Sequence, residues 1–315
     1  MLYDVYVSHM RPGDEVEGYY VLKTAQPKVS NNGKPYLNAT VADASGDMDC
    51  KVWDYSGPVG QEDEGKIIKL RGTVSEFRGA LQLTIERLRV AGEHDGYDLS
   101  RLVPVAPIDV EEMFGYVSRL AGEIPDPDYR RVCLEMLSRH GEALRRIPAG
   151  KTVHHSFLSG LLMHTGNMLR QAEFLAGLYA DTVDRSLLLA GTLLHDFGKE
   201  EEFLYSQLGL VTGYSAKGEL LGHLVMGAGD VADIARELQI PEEKSVLLQH
   251  MLLSHHGEPE FGAAVKPVCA EAELLSFIDL IDSRMEIYRE NMEKMEPGQF
   301  SQRIFALDKK IYKHA

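Results

Sequence analysis

Short stretches that alternate apolar and polar residues occupy the first ninety positions and predict β-strands. The alternation is clearest over 35–43 and 48–53, and the segment 43–47 between them has the composition of a hairpin turn. The same pattern predicts three further strands, at 18–23, 65–74 and 80–88. Five short strands with turns at this spacing predict a small closed barrel.

The pattern becomes helical after residue 110, beyond a stretch (93–109) in which glycines and prolines among polar residues indicate a linker. Residues 186–195 are almost wholly apolar, which predicts a buried central helix. The tail 299–315 could pack on its own domain or on a second copy, and 209–218 is expected to be a loop carrying Tyr214, Ser215 and Lys217 near its tip. The remaining predicted helices of an all-α bundle are 110–122, 128–146, 157–179, 220–239, 242–255 and 271–293.

We therefore predict a multidomain chain with an all-β barrel at 1–92, a linker at 93–109 and an all-α domain at 110–315. The order of the strands and loops looks like an OB-fold, whose second and third strands commonly bind single-stranded nucleic acid. On that face aromatic rings would stack on bases and cations would contact phosphates, although Trp53 and Phe77 could equally belong to the core. The candidate residues are Tyr36, Trp53, Phe77, Lys34, Lys51, Arg71 and Arg78.

Composition and charge narrow the class of protein. The chain has 315 residues, of which 44% are hydrophobic and 26% charged, as in an ordinary globular protein. Its net charge of -15 argues against non-specific coating of nucleic acid, and residues 1–95 are themselves acidic. No apolar run reaches the roughly 20 residues of a membrane helix, and residues 1–7 lack signal-peptide features, so we expect a cytoplasmic protein without membrane contact.

The candidate chemistry lies in an ordered set of histidines and aspartates: His164, His195-Asp196, His255-His256 and Asp279. Neighbouring helical residues point about 100° apart, so the adjacent pair can face one metal only near a helix end, where the pattern places it. A lone histidine on an apolar helix is usually a packed core residue. Several imidazoles inside apolar runs, however, each need a partner, and metal ligation would satisfy them together.

Imidazoles and carboxylates in this pattern predict two divalent metal ions. The first ion would be held by His164, His195, Asp196 and Asp279. Asp196 would bridge to a second ion held by His223, His255 and His256. Such a pair activates water for attack on phosphorus without a protein nucleophile. His250 could be a ligand, a supporting group or packing, and His154 and His155 are expected near the mouth, where they could contact phosphate.

His164, His195-Asp196, Asp279 and the Gly198-Lys199 that follows the pair resemble the HD superfamily of metal-dependent phosphohydrolases over residues 150–290. Nearly end to end, the chain resembles the YhaM family of 3′→5′ exoribonucleases. The motifs that carry this likeness are 154–157, Gly160-Leu161, Gly222-His223, 253–257 and 303–308. Segment 253–257 lacks the Gly-Tyr-Pro continuation of the HD-GYP phosphodiesterases.

The resemblance implies a Mn²⁺-dependent enzyme, with Co²⁺ accepted by some members, and a homo-oligomer. Fe²⁺, Ni²⁺ and Mg²⁺ are further candidates for the metal ions. It places Lys199 beside the substrate phosphate, where Lys199 and Arg284 would neutralise charge on the phosphoryl oxygens. The barrel would guide the strand through Tyr36, Lys51 and Trp53.

The favoured function is a 3′→5′ exonuclease that acts on single-stranded RNA, or DNA, and releases nucleoside 5′-monophosphates. One alternative is a phosphohydrolase of nucleotides or cyclic nucleotides with a regulatory barrel. Another is a single-strand-binding protein with a structural metal site, which needs no open coordination position. The barrel strands carry no signature that distinguishes RNA from DNA.

Overall fold

The computed structural model describes residues 1–30, 32–77, 79–92, 94–151, 155–206 and 208–314. The chain divides into two compact units. The first comprises Met1–Val105 with Ser206–Leu208, and the second comprises Ala106–Tyr205 and Gly209–Ala315. The division falls inside the segment 93–109 that was expected to link the domains.

The first unit is a six-stranded sheet closed into a barrel. The strand order is β1-β2-β3-β4-β6-β5, and β5 pairs back onto β2, which closes the sheet. Strands β4 and β6 run parallel, whereas the other barrel pairs are antiparallel. This five-stranded closure, with the short β1 added beside β2, confirms the predicted OB-fold. The strands are β1 (Leu2–Tyr3), β2 (Glu15–Val29), β3 (Pro35–Asp43), β4 (Gly46–Trp53), β5 (Ile67–Phe77) and β6 (Ala80–Val90).

Strand β2 is longer than the predicted 18–23 because it serves two neighbours. Its first half, from Glu15 to Val21, pairs with β5, and its second half pairs with β3 as far as Val29. The second half is mostly exposed, so its residues lack the alternation that marks a half-buried strand. Inside the barrel, alternate residues of the strands form the core, as Leu37, Ala39 and Val41 do on β3.

The second unit is a helical bundle whose helices begin at cap residues that the sequence supplies. The Asp126 carboxylate accepts backbone N–H groups at the start of α3, and Asp184 does the same for α5. Residues 186–194 of α5 are all buried, as the apolar run predicts. The helices of the chain are α1 (Leu99–Leu102), α2 (Val110–Gly122), α3 (Pro127–Arg146), α4 (Gly160–Leu178), α5 (Arg185–Leu194), α6 (Lys199–Glu202), α7 (Ala216–Glu237), α8 (Glu242–Ser254) and α9 (Ala270–Glu293).

One local prediction is corrected. Residues 209–218 are not a loop, because β8 (Val211–Tyr214) pairs with β7 (Phe203–Tyr205) and Ser215 caps α7. These strands are only three and four residues long, too short to show the apolar periodicity by which a helix or a longer strand is recognised. The tail forms the small hairpin β9 (Gln299–Phe300) and β10 (Tyr312–Lys313).

The tail packs in part on its own domain. Leu307 and Ile311 are buried against Ile287 of α9, whereas Phe305 remains exposed. Among the described residues, no helix has the length and apolar character needed to span a membrane.

Candidate metal centre and barrel surface

The helical bundle brings all seven predicted metal ligands to one place. His195 and Asp196 follow α5 directly, and His255 and His256 follow α8 in the same way. The others lie within helices: His164 near the start of α4, His223 in α7 and Asp279 in α9. Each helix therefore delivers one or two side chains to a common centre, as in many metal sites of helical bundles.

Glycines let the chain approach closely at this centre. A Cβ atom at Gly198 would lie 2.3 Å from the carbonyl oxygen of His223, so only glycine permits the turn after Asp196 to contact α7. Gly222 has φ 72°, which interrupts α7 immediately before His223. The interruption sets the direction in which His223 leaves the helix.

The first half of the centre contains His164, His195, Asp196 and Asp279. His164 Nε2 lies 3.3 Å from Asp279 Oδ1 and 3.3 Å from His195 Nε2. His195 Nε2 lies 3.2 Å from Asp196 Oδ2, and His164 Nε2 lies 3.8 Å from the same oxygen. Donor atoms of His164, His195 and Asp196 fall within 4.8 Å of one another, a separation that suits one metal ion.

The second half contains His223, His255 and His256, whose donor atoms also fall within 4.8 Å of one another. His223 Nε2 and His255 Nε2 lie 3.4 Å and 3.6 Å from Asp196 Oδ1. Asp196 thus directs Oδ2 to one half of the centre and Oδ1 to the other. This is the position of a carboxylate that could bridge two metal ions.

The backbone orients two of the rings. His195 Nδ1 donates to the carbonyl oxygen of Thr192 over 2.8 Å, and His255 Nδ1 donates to that of Leu252 over 2.7 Å. In both cases the acceptor lies three residues earlier, at the end of a helix where carbonyl groups lack helical partners. This hydrogen bond keeps the ring proton on Nδ1, so the lone pair of Nε2 is available to a metal ion and points into the centre.

Carboxylates orient two other rings. His164 Nδ1 donates to Asp282 Oδ2 over 2.7 Å, and His223 Nδ1 donates to Glu202 Oε1 over 2.9 Å. Sequence reasoning missed both Asp282 and Glu202. The available signal was helical spacing, since Asp282 follows Asp279 by three residues and so lies on the same side of α9.

Burial and neighbouring charges set the protonation of the centre. Burial raises the pKa of Asp196, but the His195 ring and the Lys199 ammonium outweigh it and hold that pKa well below its usual range. Burial lowers the pKa of His164, but Asp279 and Asp282 outweigh it and raise that pKa to about 9. Burial lowers the pKa of His255 strongly, which keeps that ring neutral as metal ligation requires.

Three buried polar atoms at the centre lack a hydrogen-bond partner within the described part of the chain: Asp196 Oδ1, His223 Nε2 and His256 Nδ1. Leaving such atoms unpaired costs about 1–3 kcal/mol each. Asp196 Oδ1 and His223 Nε2 lie 3.4 Å apart in the second half of the centre, where one divalent ion would give both a partner. The donor set therefore fits metal binding.

Lys199 and Arg284, the two cations predicted to neutralise charge on the phosphoryl oxygens, have different surroundings. Lys199 is buried, its Nζ lies 2.6 Å from Asp196 Oδ2, and it lines a cavity that includes the centre. Arg284 follows Asp279 by five residues, about 140° around α9, and is not among the residues that line this cavity.

The other predicted histidines differ in placement. His154 lies outside the described residues. His155 is fully buried rather than at a mouth, because its Nε2 donates to Asp282 Oδ2 over 2.9 Å. His250 Nε2 accepts the backbone N–H of Val268 over 3.1 Å, which makes it a support for the segment before α9.

On the barrel, four side chains form a group that we call the aromatic patch: Tyr36, Lys51, Trp53 and Phe77. Trp53 and Phe77 are 50% and 53% exposed, so neither is a core residue. The rings of Tyr36 and Trp53 lie 5.0 Å apart. Lys51 Nζ lies 5.2 to 5.8 Å from the three ring centres, within the range of cation–π attraction. Of the three other candidates, Lys34 pairs with Asp54 over 3.1 Å, Arg71 pairs with Glu86 over 3.7 Å, and Arg78 lies outside the described residues.

Comparison with known proteins gives a family model for part of the helical unit and relatives over nearly the whole chain. Residues 161–284 match the model of the HD domain family. The 3′-5′ exoribonuclease YhaM of Shouchella clausii is 37% identical over 97% of this chain and 95% of its own length. The 3′-5′ exoribonuclease YhaM of Bacillus licheniformis is 35% identical, with 95% of each chain covered.

Among solved structures, the second OB-fold domain of replication protein A from Methanococcus maripaludis is 12% identical, with a TM-score of 0.23. It covers 31% of this chain and 100% of that domain. At this TM-score the likeness carries no weight, and the assignment of the barrel rests on its strand order.

Proposed function

The chain belongs to the YhaM family of 3′-5′ exoribonucleases, and we propose that it shortens single-stranded RNA from the 3′ end, releasing nucleoside 5′-monophosphates. Its HD domain and its relatives identify it as a hydrolytic, metal-dependent 3′-5′ exonuclease. The preference for RNA, the product and the roles of individual residues are parts of the proposal.

One observation carries the proposal: the buried Asp196 carboxylate faces a group of imidazoles with each of its two oxygens. A structural metal site needs only one closed set of ligands, whereas this arrangement offers two adjacent sets. A cavity also reaches Asp196, so a substrate has access to the centre. Two accessible adjacent sites favour phosphodiester hydrolysis over a purely structural role.

In the proposed arrangement His164, His195, Asp196 and Asp279 hold one divalent ion. Asp196, His223, His255 and His256 hold the other. Imidazole with carboxylate suits Mn²⁺ and also Co²⁺, Fe²⁺ or Ni²⁺, and suits Mg²⁺ less well. When bound, such ions supply Lewis acidity and an activated water for displacement at phosphorus.

The protein's own contribution is orientation and charge. Asp282 and Glu202 fix the rings of His164 and His223, so that Nε2 of each faces the centre. Lys199 lies at the wall of the cavity with its ammonium group on Asp196, from which it can turn to a phosphoryl oxygen. A cation held there stabilises the charge that develops in the transition state.

The barrel would bind the single strand upstream of the 3′ end through the aromatic patch. Exposed rings stack on bases of any sequence, and Lys51 offers a positive charge for a phosphate. The exposure of Trp53 and Phe77 supports this role. Because the chain has a net charge of -15, its overall field repels RNA, and binding must depend on a local group of rings and a cation such as this patch.

The test is a time course with 5′-labelled single-stranded RNA and its DNA counterpart, in Mn²⁺ or in EDTA. The wild type should produce a ladder that shortens from the 3′ end only with the metal, and RNA should be cleaved faster than DNA. Asp196→Ala should abolish cleavage, whereas Asp233→Ala, an exposed aspartate of α7, should leave it unchanged.

Failure to cleave either strand would refute the exonuclease. If nucleotides or cyclic nucleotides were hydrolysed instead, the protein would be a small-molecule phosphohydrolase. Binding of RNA that survives Asp196→Ala, with no turnover by the wild type, would indicate a binding protein.

A further inference from the structure

A cavity of about 360 Å³ lies beside the candidate metal centre, wholly within the helical unit. Asp196, Lys199, His255 and Asp279 line its inner end, which is the polar end. Phe261, Phe277 and Leu280 are the large apolar residues of the remaining lining, which also includes Glu258 and Glu273. Ligand sites of small molecules span roughly 300–1,000 Å³, so this cavity suits a single nucleotide and not a longer segment of strand.

Helix α9 forms one wall of this cavity, and the chemical character of its side chains changes with their angle around the helix from Asp279. At about 100° per residue, Ser276, Leu280 and Phe277 lie roughly 60°, 100° and 160° around the helix from Asp279. The wall therefore passes from the Asp279 carboxylate and the Ser276 hydroxyl to the apolar side chains of Leu280 and Phe277, with the Glu273 carboxylate at about 120°, between those two. A ligand whose phosphate is at the centre would place its next portion against Leu280 and Phe277.

The apolar part of the wall is poorly covered by the protein itself. Phe277 is 51% exposed, and Phe261, in the short turn Pro259–Phe261 after α8, is 75% exposed. Large exposed apolar side chains beside a polar centre are typical of ligand-binding surfaces. An aromatic ring there offers a face on which a nucleobase of any type can stack.

Charge limits what can occupy the outer part. Glu258 and Glu273 line the cavity, and Glu258 pairs with Lys266 over 2.6 Å. Glu273 is exposed and forms no ion pair within the described ranges. A second phosphate near Glu273 would meet like charge, whereas ribose hydroxyl groups could donate hydrogen bonds to its carboxylate.

We propose that this cavity is the subsite for the 3′-terminal nucleoside, whose base lies on Leu280 and Phe277 while its phosphodiester lies at the metal centre. The inference rests on the proposed exonuclease function. It also accounts for cleavage at the end of a strand, because only a terminal nucleoside lacks a phosphate on its 3′ side. An internal nucleotide would bring a second phosphate toward Glu273.

The first experiment pairs a change in the protein with a change in the substrate. Single-turnover cleavage of the terminal linkage is measured for wild type and Phe277→Ala with RNA ending in adenosine or in a ribose without a base. Loss of one stacked base costs about 1–3 kcal/mol, so Phe277→Ala should slow the adenosine-ended RNA about tenfold or more. The same variant should slow the base-free end less than twofold.

Phe174→Ala, which removes an exposed ring of α4, is the matched control and should behave as wild type. A third substrate ending in a 3′-phosphate should be cleaved more slowly than the 3′-hydroxyl form, and Glu273→Gln should narrow that difference. Equal losses on adenosine and base-free ends, or no loss at all, would overturn the subsite.

A binding measurement separates failure of the subsite from failure of the exonuclease. Calorimetry in Mn²⁺ compares adenosine 5′-monophosphate with ribose 5-phosphate, which lacks the base. Wild type should bind the nucleotide about tenfold more tightly, and Phe277→Ala should abolish that preference. If RNA is not shortened but the preference is found, the proposed function fails and the nucleoside subsite remains. Equal affinities in wild type would refute the subsite even if RNA is shortened.

Discussion

The metal centre and the aromatic patch represent opposite ways of placing functional side chains. His164 and His195 are at most 1% exposed, whereas the rings of Trp53 and Phe77 are half exposed. Hydrolysis at phosphorus requires ligand atoms within tenths of an ångström, which burial and packing provide. Stacking on a flexible strand of any sequence requires accessible ring faces, which burial would remove.

The two regions also differ in what holds each side chain. In the centre, His164 and His195 each have a second hydrogen bond, to Asp282 and to the Thr192 carbonyl. In the patch, Lys51 and its neighbouring rings contact one another and the solvent. A substitution near the centre should therefore change metal affinity and turnover, and one in the patch should change binding of the strand.

Among substitutions that leave every candidate metal ligand in place, the largest expected effect comes from Asp282→Asn. The amide retains the size of the side chain but removes the charge that orients His164 Nδ1, so metal affinity should fall about 10- to 100-fold. Calorimetric titration with Mn²⁺ or Co²⁺ measures this directly. Glu293→Gln, an exposed position of the same helix, should leave the affinity unchanged. An unchanged metal affinity in Asp282→Asn would mean that packing alone orients the ring.

Metal affinity should also depend on pH. The pKa of His164 is about 9 because Asp279 and Asp282 outweigh its burial, so the ring carries a proton at neutral pH. Metal binding must release that proton, and affinity should therefore fall up to about tenfold for each unit by which the pH drops below 9. Calorimetry in buffers of different ionisation enthalpy between pH 7 and 8 counts the protons released. A count of zero would contradict this explanation.

The sequence allowed prediction of the residues that meet at the centre, because each stands at the end of an apolar run or within one. His195-Asp196 closes the run of α5, and an imidazole in that place needs a partner. Asp282 and Glu202 were not predicted, because acidic residues are common on helices. The orientation of α9 about its axis brings Asp282 to His164, and the break at Gly222 brings His223 to Glu202. Neither feature can be read from the acidic residues themselves.

In the barrel, the alternation of faces along β4 indicates from the sequence alone that Trp53 is exposed. Trp53 and Lys51 are two residues apart on β4 and therefore share a face, while Cys50 and Val52 share the buried one. Because a lysine side chain favours solvent, the face that Trp53 shares with Lys51 is the outer one. The extent of β2 could not be predicted in this way, because its exposed half is held by backbone pairing with β3.

Trp53→Ala tests the patch against the centre. Removing one stacking platform should weaken binding of single-stranded RNA about tenfold, within the range of about 1–3 kcal/mol per stacked base. Mn²⁺ affinity and the cleavage rate at saturating RNA should stay within twofold of wild type. Fluorescence anisotropy with labelled RNA measures binding, and Phe174→Ala is the matched control. A loss of metal affinity in Trp53→Ala would show that the two regions do not act separately.

The smallest effect is expected for Lys51→Ala, and it is identified by its dependence on salt. Lys51 is the cation of the patch, 5.2 Å from the Trp53 ring, so its removal leaves the stacking surface in place. Loss of one phosphate contact should reduce the steepness of log affinity against log salt concentration by about 0.7 for a single strand. Trp53→Ala should lower the affinity at every salt concentration without changing that slope, because stacking releases few counterions. Titrations from low to high salt with both variants distinguish the two contributions, and a slope unchanged in Lys51→Ala would assign its role to holding the rings in place.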